Sequence, residues 1–140
     1  MSEQPVAPPI VGQALYMAIG TGESSPFMVE FVVEAIELSQ DKGAIARIGP
    51  NPDDPKAPPC SCLSFPLSSW PDGCRMWATK RQAWQRCHLN ILRDLSDSIR
   101  HREEAIMEHD HEMATEWAKD IARLSKHAEI AQKRAAGETP

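Results

Sequence analysis

The chain has 140 residues, 41% of them apolar, 12 prolines and a formal charge of −5, which fits one domain with a helical extension. Charge is unevenly placed: residues 1–78 carry four bases against nine acids, whereas 79–136 carry eleven bases against ten acids. An acidic first half argues against phosphate-backbone binding there, because that binding rests on neutralising phosphates with Lys and Arg. Net negative charge also makes the chain a poor match to anionic membranes.

Ser2-Glu3-Gln4-Pro5 lacks the positive start of a secretory signal, and no apolar run approaches membrane-spanning length. The expectation is a cytoplasmic protein whose four cysteines stay reduced.

Residues 1–9 are polar and Pro-rich, and read as a disordered lead-in. A β module follows over 10–78. Gln13–Ile19 predicts a first strand, and Gly20–Pro26 is dense in turn residues. Phe27–Glu37 is the clearest strand. Phe27, Val29, Phe31, Val33 and Ala35 are expected to face a core, with Glu30 and Glu34 towards water. A strand of that length is expected to bend or carry a bulge. Asp41-Lys42-Gly43 supplies a turn into a third strand, Ala44–Ile48. Gly49–Pro59, punctuated by prolines, is a loop. Cys60–Phe65 predicts a fourth strand, Trp70-Pro71-Asp72-Gly73 a turn, and Arg75-Met76-Trp77 a short last strand. Five short strands in so few residues predict a small antiparallel sheet or an SH3-like barrel, and so an α+β fold.

From Thr79 to Ala136 there is neither Gly nor Pro. Thr79-Lys80-Arg81-Gln82 has the form of a capping box, with the Thr hydroxyl accepting from the N–H three residues on and the Gln reaching back. Trp84, His88, Ile91, Leu95, Ile99, Ile106, Met113, Trp117, Ile121, Leu124 and Ala128 then recur at helical steps as one apolar stripe. Trp84, Leu95, Ile106, Trp117 and Ala128 are spaced by eleven, a repeat close to a straight helix. Unbroken, the helix would run roughly 85 Å and would need a partner along its stripe. Polar Arg102, His109 and Asp110 interrupt the pattern, so the alternative is a hairpin bending near Glu108–Glu112. The absence of Gly and Pro at that bend favours the continuous helix, seamed to a second copy as a homodimer. Residues 137–140 are a tail.

Several residue sets bear on chemistry. Cys60, Cys62, Cys74 and Cys87, with His88, could supply four ligands to a structural zinc. The spacings lack the paired C-x-x-C knuckles of zinc ribbons, and free apolar thiols are favoured, so no cofactor is expected. Glu108 and His111 form one Glu-x-x-His element, where a di-iron bundle needs two. With His101 and Glu104 they could line a metal site across a dimer, but a solvated face is favoured. Cys87 and His88 are adjacent, so on a helix they diverge by about 100° and cannot act as a nucleophile–base pair. No phosphate loop, dinucleotide fingerprint or G-x-S-x-G elbow occurs. Lys80, Arg81, Arg86, Arg93, Arg100 and Arg102 make a ridge that a nucleic-acid-binding regulator could use. The interleaved Asp94, Asp97, Glu103 and Glu104 favour a salt-bridged surface instead.

Trp77-Ala78-Thr79-Lys80-Arg81-Gln82-Ala83 is an aromatic-x-Thr-x-x-x-Ala segment joining a small β module to a long amphipathic helix. In this it resembles small phage and prophage accessory proteins of unassigned function. The resemblance implies a non-enzymatic protein in the host cytoplasm that binds a host protein. Its most concrete form is an inhibitor of a host defence complex, such as an anti-CRISPR. No catalytic residues come with it. Glu30, Glu34 and Glu37, with Asp53 and Asp54, are the acids expected to meet a basic partner surface.

Overall fold

Strand β2 (Phe27–Ser39) is the longest of the sheet, flanked by β1 (Ala14–Ile19) and β3 (Gly43–Pro50), with β4 (Leu63–Pro66) beyond β3. The computed structural model describes residues 7–41, 43–50, 63–70 and 76–138. Its four strands, in the order β1-β2-β3-β4, form a curled antiparallel half-barrel, and two helices follow. The fold is α+β. By internal contacts the chain divides into two compact units: Met1–Met17 with Met28–Ala83, and Ala18–Phe27 with Trp84–Pro140.

In the first unit, Leu15, Val29, Phe31, Val33, Ala46, Ile48, Phe65 and Met76 are buried. Burying an aliphatic or aromatic side chain of this size stabilises by about 1.5–3 kcal/mol, before the entropy of ordering it. The alternation along β2 holds from Val29 to Val33 and then breaks. Val33 pairs with Ile48 but Ala35 pairs with Arg47, so Glu34 is the extra residue of a bulge. Directly paired residues share a face. Ile36, opposite buried Ala46, is therefore on the core face, though still 37% exposed near the strand's end, and Ala35, opposite exposed Arg47, turns outwards. The expectation that Ala35 faces the core is corrected by this one-residue shift.

Gly43, at φ 72°, lets the chain reverse between β2 and β3. Of the expected fifth strand, Arg75 lies outside the described residues, and Trp77 forms an isolated bridge to Tyr16, with both backbone N–H groups donating across it. Trp70 stacks on Phe65 at 6.0 Å and donates its indole N–H to the Ala7 carbonyl. Most of the loop after Pro50 and the turn after Trp70 lie outside the described residues.

The second unit is a helical hairpin. Helix α1 (Lys80–Met107) starts on Thr79, whose hydroxyl accepts from the Gln82 N–H at 3.1 Å. The return half of the capping box is not made: Gln82 Oε1 is buried without a hydrogen-bond partner among the described residues. Helix α2 (His111–Gly137) runs back after a two-helix turn. The continuous helix favoured by the sequence is thus replaced by its alternative, and the turn explains why. His109 takes the left-handed conformation, φ 57°, that Gly normally supplies. Its N–H donates to the Ile106 carbonyl and that of Asp110 to the Ala105 carbonyl, which is the Schellman pattern. Asp110 then caps α2, accepting from the Met113 N–H at 3.1 Å. One residue ends the first helix and the next begins the second.

Within this unit the buried residues are Trp84, Cys87, Ile91, Ser98 and Ala105 on α1, and Leu124, His127, Ala128, Ala131 and Ala135 on α2. The segment Ala18–Phe27 belongs with them. A Cβ on Gly20 would lie 2.7 Å from Ile91 Cδ1 and 2.8 Å from Cys87 Sγ, so any larger residue would have to displace those two side chains. His127, 6% exposed, donates from Nδ1 to the Gly20 carbonyl at 3.0 Å. The carbonyl only accepts, which fixes the proton on Nδ1.

Candidate functional site

Two surfaces carry the residues singled out in the sequence, one in each unit. On the sheet, the bulge keeps Glu30, Glu34 and Glu37 on the face away from the core, because Glu37 would otherwise have rotated inwards. Glu30 is half-buried. The Glu34 carboxylate lies over Gly49, where an added Cβ would overlap its Oε1. Glu37 meets Arg47 at 3.5 Å, an exposed pair of little energetic weight. Asp53 and Asp54 lie outside the described residues.

On the hairpin, the expected seam divides. Trp84, Ile91 and Leu124 are buried, while Leu95, Trp117 and Ile121 are half-buried. Ile99, Ile106 and Met113 are 43%, 47% and 44% exposed, joined by Leu92 at 40% and Met107 at 80%. Leu92, Ile99 and Ile106 recur every seven residues, so they line one side of α1. The fold therefore spends part of the stripe on closing the hairpin and leaves a third of it open.

Between the helices is a cleft of about 270 Å³ lined by Asp94, Asp97, Ser98 and His101 of α1, by Trp117, Asp120, Arg123 and Leu124 of α2, and by Thr21. The four α1 residues sit at i, i+3, i+4 and i+7, one face of the helix. Asp120 accepts from Arg123 at 2.9 Å, and Arg100 reaches Asp97 at 3.5 Å. His101 stacks on Trp117 at 4.7 Å, and its Nδ1 lies 3.6 Å from Glu104. Sequence reasoning missed this cleft. Its signal was present as a polar set at helical spacing, but that set acquires a facing wall only once the helix folds back.

Cys60, Cys62 and Cys74 lie outside the described residues. Cys87, at 2% exposure, has its thiol pushed up to about 11 by burial. Glu108 and His111 are exposed at the hairpin turn. Among the described residues no three His, Cys, Asp or Glu side chains are grouped to hold a metal ion. Of the basic ridge, Lys80 lies over the Tyr16 ring at 5.8 Å, and Arg86, Arg93 and Arg100 recur every seven residues with Arg102 turned away from that row. No described helix is long and apolar enough to cross a membrane. No protein-family model, curated protein or solved structure matches the chain.

Proposed function

We propose that this chain is a non-enzymatic protein-interaction module that docks a partner protein on its helical hairpin. The observation that carries the reading is the open apolar row Leu92–Ile99–Ile106 with Met107 and Met113, each at least 40% exposed on helices otherwise rich in charge. Apolar side chains gathered in one exposed row mark contact surfaces, and single scattered ones do not. The protonated, buried thiol of Cys87 supports the non-enzymatic part, since a thiol nucleophile needs access and a lowered pKa. The acids Glu30, Glu34 and Glu37 add a surface suited to steering a basic partner. The resemblance to phage accessory proteins makes a host cytoplasmic protein the first partner to seek, and inhibition of a host defence complex the most specific form of the proposal.

The test is the double substitution Ile99→Glu with Ile106→Glu. Wild type should bind a second copy, seen as doubled mass in light scattering, or a host protein, seen as a stoichiometric co-purified band. The variant should melt at the wild-type temperature and lose that binding. A wild type that stays monomeric and bare, or a variant that binds equally well, would defeat the reading.

A further inference from the structure

The inter-helix cleft has properties that a mere gap between helices does not require. Its lining sets three carboxylates against one guanidinium. The single guanidinium, Arg123, donates from one terminal nitrogen to Asp120 at 2.9 Å, while its Nε is buried without a hydrogen-bond partner among the described residues. Across from it, Asp94 has no partner among the described residues, and Asp97 has only the 3.5 Å contact from exposed Arg100. Exposed pairs of that kind exchange readily with a competing cation.

A second observation is independent of these acids. Ser98 is 5% exposed, lines the cleft, and makes no hydrogen bond with any described residue. Its hydroxyl oxygen keeps access to the cleft, where it can accept from an incoming donor. Trp117, half-buried and braced by the His101 stack, supplies an aromatic wall beside it.

We propose that this cleft receives the guanidinium of an arginine side chain from the partner protein. The chemistry selects that group. It is a planar cation with five donors, able to fork onto Asp94 and Asp97, donate to Ser98 Oγ and lie against the Trp117 indole. An ammonium is a compact, strongly hydrated point charge that cannot satisfy three acceptors and a ring together as well. At about 270 Å³ the cleft is smaller than the usual small-molecule pocket, and its size suits one side chain. Asp120 with Arg123 already displays the same pairing within the fold.

The proposal rests on the reading of the chain as a protein-interaction module, but its test needs no partner. The full chain is titrated with capped Gly-Arg-Gly, with its neutral isostere Gly-citrulline-Gly, and with Gly-Lys-Gly, following the Trp117 indole N–H by NMR. The arginine peptide should shift that resonance and saturate with a dissociation constant on the order of 1 mM. The lysine peptide should bind several-fold more weakly, and the citrulline peptide should cause no saturable shift. Asp94→Asn with Asp97→Asn, both at exposed positions, should keep the melting temperature and weaken the arginine peptide about tenfold or more, as expected when charge-assisted hydrogen bonds are lost. Saturable binding of citrulline, equal binding of lysine, or an unchanged constant in the double variant would overturn the assignment. That failure would leave the apolar row untouched, and the Ile99 and Ile106 variants can fail without affecting the peptide titration.

Discussion

His127 ties α2 to a backbone carbonyl far away in sequence, and its loss should be felt at both ends of that bond. His127→Ala leaves the Gly20 carbonyl without its donor and opens a gap beside Ala128 and Leu124. A cost of about 2–4 kcal/mol is expected, combining an unpaired buried acceptor with lost packing. Chemical denaturation measures it, and a change under 0.5 kcal/mol would mean that the bond is replaced by water at no cost. Cys87 gives a pH signature. Its thiol titrates near 11 in the folded protein against 9.0 for the free group, so between those values the unfolded chain has released a proton that the folded chain retains. Stability is fully present below pH 9 and falls as pH rises towards 11. Cys87→Ala should flatten that part of the pH–stability curve, though removing the sulfur lowers the whole curve. An identical slope in the variant would assign the alkaline loss to other groups.

At the scale of elements, the turn between the helices is where sequence reasoning and structure part. Glu108-His109-Asp110 has neither Gly nor Pro, yet it reverses the chain because His109 accepts a left-handed backbone and Asp110 caps the next helix. Histidine is among the non-glycine residues that tolerate this region best. His109→Gly should therefore stabilise the hairpin by about 0.5–1 kcal/mol, by removing the Cβ penalty. Asp110→Ala should cost about 1 kcal/mol through loss of the cap. Both are read from urea midpoints at unchanged slope, and a destabilised glycine variant would argue that His109 makes a contact worth more than its strain. The strands were legible because β-branched and aromatic residues alternate, and the Thr79 cap because its hydroxyl has one obvious donor. The polar interruption at Arg102, His109 and Asp110 was the hairpin's signature, outweighed by a rule about glycine. The bulge at Glu34 was expected in kind but not in position, since only pairing with β3 reveals which residue is unopposed.

For the whole molecule, the open apolar row is the feature that a folded monomer does not use. Because Ile99 and Ile106 are already more than 40% exposed, replacing both by Glu should change folding stability by no more than about 0.5 kcal/mol each. Circular-dichroism melts of dilute protein check this. A large loss would mean that these side chains are covered in solution by another copy on which the fold depends. The candidate cleft was not legible as a site because its two walls, Asp94–His101 and Trp117–Leu124, become neighbours only through the turn. The acidic sheet face was legible, since Glu30 and Glu34 stand out of an apolar strand, but sequence alone could not foresee that Glu34 would settle over Gly49.

The hydrogen bond from His127 to Gly20 spans 107 positions, and the ribosome makes those positions in order. Ala18–Phe27 emerges early, yet the helix that completes its unit arrives only after roughly 5–20 s of further elongation at ordinary synthesis rates. During that interval the sheet can close over its own residues while the Gly20 loop waits, its carbonyl still wet. The last helix acts as the clasp. Nascent chains arrested before Leu124 should keep Gly20 open to protease, and chains released just past Ala135 should shut it.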